Sequence, residues 1–219
     1  MTFPKSVLVL PSLGLAALVL AGCAAKKGEL DETGGITAIR SACPVVGVPI
    51  GTGDVTLFDP ATSRDSTAID VTATMTNVRS TCNDDVGDQV ATNVTFDIDA
   101  RRARTDGARD VVFPYFVTVV RGGTAVVAKR VARVNVHFDA GQARAHASGT
   151  AATSITRSAA TLPADVKEKL THKRKAGDED AATDPLTLPE VRRAVLSVTF
   201  EALVGFQLTD DQLKYNATR

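Results

Sequence analysis

The chain of 219 residues carries 25 Lys plus Arg against 25 Asp plus Glu, a formal net charge of zero with the histidines neutral. With no field of either sign over the whole chain, composition argues against nucleic acid or an acidic polymer as a partner. Tryptophan is absent and aromatic residues make up only 5%, so the core that this length allows must be built mainly from Val, Ala, Ile and Leu.

At the N-terminus Lys5 precedes an apolar run from Val7 to Leu20, which has signal-peptide length and is short for a membrane span. Ala21 and Gly22 are small enough for the narrow site before a scissile bond, and Cys23 follows them. The order Leu20-Ala21-Gly22-Cys23 resembles the lipobox of bacterial lipoproteins, a short motif that is specific where it closes an apolar leader. The resemblance implies that residues 1–22 are removed as a lipoprotein signal peptide and that Cys23 is diacylated. Two acyl chains give the double anchor that stable membrane attachment requires. Ala24 stands where an aspartate would favour retention at the inner membrane, so the resemblance also implies an outer-membrane position facing the periplasm. Residues 23–41, rich in Lys, Gly, Glu, Asp and Thr, then read as a flexible tether, and residues 42–219 as a single α+β domain.

Cys43 and Cys82 remain after Cys23 is set aside. An even pair in an oxidising compartment reads as a disulfide, with two buried free thiols as the alternative. The bond would stabilise by about 4 kcal/mol in the chain-entropy model.

From Asp54 to about Ile155 the pattern is that of strands. A short one is expected at Asp54 to Phe58. Ile69, Val71, Ala73 and Met75 alternate with Asp70, Thr72, Thr74 and Thr76, and Val90, Thr92, Val94, Phe96 and Ile98 alternate with Ala91, Asn93, Thr95, Asp97 and Asp99 in the same way. Period two marks a sheet with one wet face. Gly122-Gly123 reads as a two-residue turn with Arg121 facing Thr124, which sets Val119 opposite Val126, Val117 opposite Ala128, Tyr115 opposite Arg130, Phe113 opposite Ala132 and Val111 opposite Val134. A second turn at Asp139-Ala140-Gly141-Gln142 is expected to pair Phe138 with Ala143, Val136 with Ala145 and Val134 with Ala147, apolar against apolar. The result is an antiparallel meander whose third strand offers Ala143, Ala145, Ala147, Gly149 and Ala151 to the core. So low a strip needs filling, by a helix or by a ligand, and packing by the protein itself is the expectation.

Helices are expected over about 163–216. Pro163 opens one that continues from Asp165 to Lys175, with Gly177 as its cap. Pro189 opens a more apolar one through about Val204, in which Val191, Ala194, Val195, Val198 and Ala202 share a face and Gly205 ends the helix. This is the natural cover for the alanine strip. Thr209 and Gln212 form a capping box for a third, with Leu208 and Leu213 as its hydrophobic staple. Strands first and helices last give an α+β class in which C-terminal helices pack on the sheet.

Catalytic and metal signals are weak. His137, His146 and His172 form no H-x-x-x-H group, and the expected register makes His137 face Arg144, with His146 as its diagonal neighbour. Ser148 shares a face with His146, without an acidic partner in the local sequence. Asn83, Asp84, Asp85 and Asp88 lack calcium-loop spacing and read as a solvated turn. Arg101, Arg102, Arg104 and Arg109 surround Asp106-Gly107 as a basic tip that an anionic lipid phosphate would suit, or as a charged loop that keeps strand ends soluble. No catalytic set, metal or cofactor is assigned. The expected function is a non-catalytic binding or assembly module of the envelope, held at the membrane through Cys23 beside an envelope protein partner. The alternative is a carrier or sensor of a lipid or other amphiphile, and a hydrolase with an unrecognised site stands third.

Overall fold

The computed structural model describes residues 41–84, 87–172, 175, 177–178 and 182–218. The expected leader, Cys23 and the tether up to residue 40 lie outside the described residues, as do Asp85, Lys173 and Arg174. Eight strands and three helices follow in the order β1 (Val45–Gly47), β2 (Asp54–Phe58), β3 (Ile69–Asn83), β4 (Gln89–Arg102), β5 (Arg109–Arg121), β6 (Ala125–Phe138), β7 (Arg144–Thr156), α1 (Ala164–Thr171), α2 (Pro189–Ser197), β8 (Phe200–Phe206) and α3 (Asp210–Thr218).

The strands form two four-stranded sheets, one in the order β1-β8-β5-β6 and the other β2-β3-β4-β7. Among the described residues only β1 and β8 run parallel. The inward residues of the second sheet, Val71, Ala73, Met75, Val94, Phe96 and Ile98, meet Val111, Phe113, Val136, Phe138, Val204 and Phe206 of the first in one buried cluster. Alternation along β3 and β4 thus places the apolar set between the layers, with Thr92 among it, and turns most of the other Thr, Asn and Asp residues toward water, Asp70 being a buried exception. The chain is sheet-rich α+β.

Several expected contacts fall differently. The β5–β6 hairpin forms, but its loop has three residues, with Arg121 opposite Ala125 and a bulge between Val119 and Val120. Both Gly122 and Gly123 adopt positive φ, which a side chain would resist. Val119 therefore faces Ala128, Val117 faces Arg130, Tyr115 faces Ala132, Phe113 faces Val134 and Val111 faces Val136. Along this stretch the slip is an even number of residues, so each side chain keeps the face that alternation assigned to it.

The second expected turn is not a hairpin. β6 belongs to one sheet and β7 to the other, where Ala145 faces Ala100 and Ala147 faces Ile98 on β4. The segment between them instead carries the chain from layer to layer, because pairing with β4 gives β7 a full-length neighbour and still turns its alanines inward. The helix expected from Pro189 to Val204 stops at Ser197, and β8 follows. Phe200, Ala202, Val204 and Phe206 are all buried, a period-two set that a strand between β1 and β5 can bury on its inner side.

Nor does α2 cover the alanine strip. Its Val191 and Val195 pack with Val166 and Leu170 of α1 in a separate cluster. The strip is filled sideways by Phe96, which stands directly opposite Gly149 across β4 and β7. A Cβ at Gly149 would lie 2.3 Å from the Phe96 ring. Tyr115 meets that ring edge-on at 4.9 Å between centroids, and its hydroxyl donates to the Thr150 carbonyl oxygen at 2.6 Å.

Cys43 and Cys82 are bonded as expected, joining the approach to β1 with the end of β3, and hence one sheet with the other. The capping box of α3 also forms, with Thr209 N–H donating to Gln212 Oε1 and Gln212 N–H to Thr209 Oγ1.

Candidate functional site

A group of interacting carboxylate, hydroxyl, amide and imidazole side chains lies on the outer face of the second sheet. Strand alternation turns Asp97 and Asp99 of β4 outward, and the register sets Ser148 opposite Asp97 and His146 opposite Asp99 on β7. On the other flank Thr76 of β3 faces Asp97, after which the register jumps to Arg79. Asn77 sits in that bulge at φ 50, a left-handed conformation that Asn accepts more readily than most residues. The bulge aims its amide at Asp97.

Ser148 Oγ donates to Asp97 Oδ1 at 2.7 Å and Asn77 Nδ2 to Asp97 Oδ2 at 2.8 Å. Thr76 Oγ1 donates to Asp99 Oδ2 at 2.9 Å, and His146 Nδ1 lies 3.0 Å from Asp99 Oδ1. His146 Nε2 is 3.7 Å from Asp97 Oδ1. Hydrogen bonds from Asn77 and then Ser148 hold the Asp97 carboxyl below the usual range, and those from His146 and Thr76 do the same for Asp99. The Asp99 bond, with the charges of Asp97 and Asp99 behind it, raises His146. Two carboxylates thus flank the imidazole and favour its protonated form.

This is not the order of a hydrolytic triad, where the serine hydroxyl must hand its proton to the imidazole. Here the Ser148 proton is directed at a carboxylate and the imidazole is flanked by a carboxylate on each side. The cluster is suited to holding charge in place on the outer face of the sheet, with its hydroxyl and imidazole already engaged by carboxylates. Asp97 and Asp99 are the acidic partners that local reading of Ser148 and His146 missed. They stand on another strand, and only the pairing of β4 with β7 brings them together.

His137 has a separate cluster on the first sheet and does not face Arg144. Its Nδ1 lies 2.9 Å from Asp110 Oδ1, which also accepts from Asn135 Nδ2 at 2.8 Å, and the Asp110 bond raises the imidazole. The basic tip is largely neutralised from within. Arg102 is buried, with its guanidinium donating to the carbonyl oxygens of Gln142, Gly107 and Asp139 and stacked on Phe138. Arg109 makes a two-pronged pair with the buried carboxylate of Asp70 at 2.9 and 2.7 Å, and Arg104 joins Asp59 and Asp70. In the turn after Cys82, Asp84 accepts from Ser41 Oγ. Among the described residues, no three His, Cys, Asp or Glu side chains converge as a metal site.

The other unusual surface is an edge. β6 ends the first sheet, and from Ala125 to Arg133 its residues are exposed on both faces. Val126, Val127 and Val131 keep 64%, 52% and 55% of their surface in solvent, beside the cations Lys129, Arg130 and Arg133. No protein-family model, curated protein or solved structure matches the chain.

Proposed function

We propose that this chain is a membrane-anchored bacterial envelope lipoprotein whose sheet domain acts as a non-catalytic binding or assembly module. The observation that carries the reading is the exposed edge of β6. Folded proteins commonly guard such an edge, because its free N–H and C=O groups invite another strand; β6 carries a bulge at Val127 and three cations, yet nine consecutive residues lie open with valines among them. The Ser148 hydroxyl and the His146 imidazole, by contrast, are already engaged by carboxylates. Leu20-Ala21-Gly22-Cys23 supplies the anchor, and the Cys43–Cys82 bond suits an oxidising compartment. Filling of the alanine strip by Phe96 weighs against the amphiphile carrier, since the space over Gly149 is taken by the protein's own ring.

The test is made in a bacterium with an outer membrane, with a clickable fatty acid in the medium and a photo-crosslinking amino acid at Val127 or, separately, at Thr95 on the outer face of β4. The full chain is expected to take up the fatty acid, Cys23→Ala to lose it, and Val127 to yield a discrete envelope-protein adduct that Thr95 does not. Labelling that survives Cys23→Ala overturns the anchor. Equal or absent adducts at the two positions overturn the binding module.

A further inference from the structure

Resting on the binding-module reading, we infer that β6 accepts an extended acidic segment of a partner protein as an added strand, and that Arg133, Val131 and Lys129 read in it the pattern acidic–x–apolar–x–acidic. Three observations lead there. First, β6 pairs with β5 alone, and among the described residues no other backbone bond reaches the stretch from Ala125 to Arg133. Second, the register places Arg133 opposite Pro114, Val131 opposite Phe116 and Lys129 opposite Thr118. These three therefore stand in one row on the outer face, spaced as alternate residues of a strand. Lys129 is held over that face by its ammonium on the Phe116 ring, 5.1 Å from the centroid. Third, the stretch holds three cations and no acid, and Arg121 closes the near end of the hairpin.

Strand addition draws affinity from main-chain hydrogen bonds and specificity from alternate side chains. Opposite charges directly across a pair of strands attract, and like charges repel. An incoming strand with carboxylates facing Lys129 and Arg133 and a valine or isoleucine facing Val131 satisfies all three positions. A second copy of this chain fits poorly, because it would bring the same three cations against the first set, and edge lysines are a common guard against self-pairing.

The full chain in mild detergent is titrated by fluorescence anisotropy with the capped strand Thr-Glu-Thr-Val-Thr-Glu-Thr and with its counterpart carrying lysine for both glutamates. The acidic strand is expected to bind about tenfold or more tightly than the lysine strand, and the Lys129→Glu/Arg133→Glu double variant to reverse that preference. Two further peptides carry N-methyl groups, one on the threonines and one on the glutamates and valine. Only one of them should lose binding, since alternate nitrogens face the edge. Amide exchange should show protection added along Ala125 to Arg133. Equal affinity for both charges, equal binding by both methylated strands, protection elsewhere, or a peptide-free dimer protected at β6 overturns the inference. Purified components are used, so failure here leaves the lipid anchor and the in-cell adduct as separate results.

Discussion

Gly149→Ala should destabilise the protein although alanine is the better residue for a strand. Relieving glycine of its conformational freedom ordinarily gains about 0.5–1 kcal/mol within regular structure. Against that stands the ring of Phe96, with two of its atoms 2.3 and 2.4 Å from where the new methyl would sit. The ring is almost wholly buried, at 1% exposure, and Tyr115 meets it edge-on. It must rotate into a rotamer that disturbs Tyr115 or lift the two strands apart, and overpacking of this kind costs about 1–3 kcal/mol. The net expectation is a loss of about 1–2 kcal/mol, read as a lower urea midpoint at unchanged slope and, for a domain of this size, as a Tm lower by about 2–8 °C. Shortening the ring provides the control. Phe96→Leu alone leaves a void and destabilises, but combined with Gly149→Ala the two losses should fall short of their sum by about 0.5–2 kcal/mol, because leucine makes room for the methyl. A neutral Gly149→Ala, or strict additivity with Phe96→Leu, refutes the account of how the alanine strip is filled.

Asp70→Asn should cost about 1–3 kcal/mol at neutral pH by urea unfolding, less than a fully buried ion pair because Arg109 keeps solvent contact. The Arg109 hydrogen bond holds the Asp70 carboxyl below its usual range, so the wild-type advantage is full above about pH 3.9 and disappears as pH falls through the lower folded value; a gap that persists in strong acid counts against the pairing. By proton NMR, His146 should titrate above the ordinary imidazole value of about 6.5, and Asp99→Asn should bring it down. Since its folded value is raised, its contribution to stability is full below about pH 6.5 and is lost as pH rises through the folded value. A titration unmoved by Asp99→Asn contradicts the assigned hydrogen bond.

What local periodicity encodes was legible. Val71, Ala73 and Met75, and Val90 through Ile98 on alternate positions, are inward as alternation requires. The Cys43–Cys82 bond matches the even pair left once Cys23 is set aside, and Thr209 with Gln212 announced a helix start through the short-range geometry of its own turn. What depends on distant pairing was not legible. The turn after Phe138 looks like a hairpin from within because both flanking strands offer apolar residues at every second place, and nothing nearby says that β4 is the better neighbour for β7. Asp97 and Asp99 became partners of Ser148 and His146 only through that same long-range pairing. β8 was masked by composition. Val195, Val198 and Ala202 lie at helical spacing as well as Phe200, Ala202, Val204 and Phe206 lie at strand spacing, and tertiary burial between β1 and β5 settles the competition.

The position of the disulfide has a mechanical consequence. Tension arriving from the N-terminal side of the chain meets Cys43 before it meets β1, whose three residues pair with β8 and pack through Val46 on the core. Without a covalent tie at that point, the load would strip β1 from its neighbour one bond at a time. With Cys43 fastened to Cys82, the same load passes into β3, a strand of fifteen residues paired at this end with β4. The β3–β4 ladder beside Cys82 then shares the load, so tension from the N-terminal side does not fall on β1 alone.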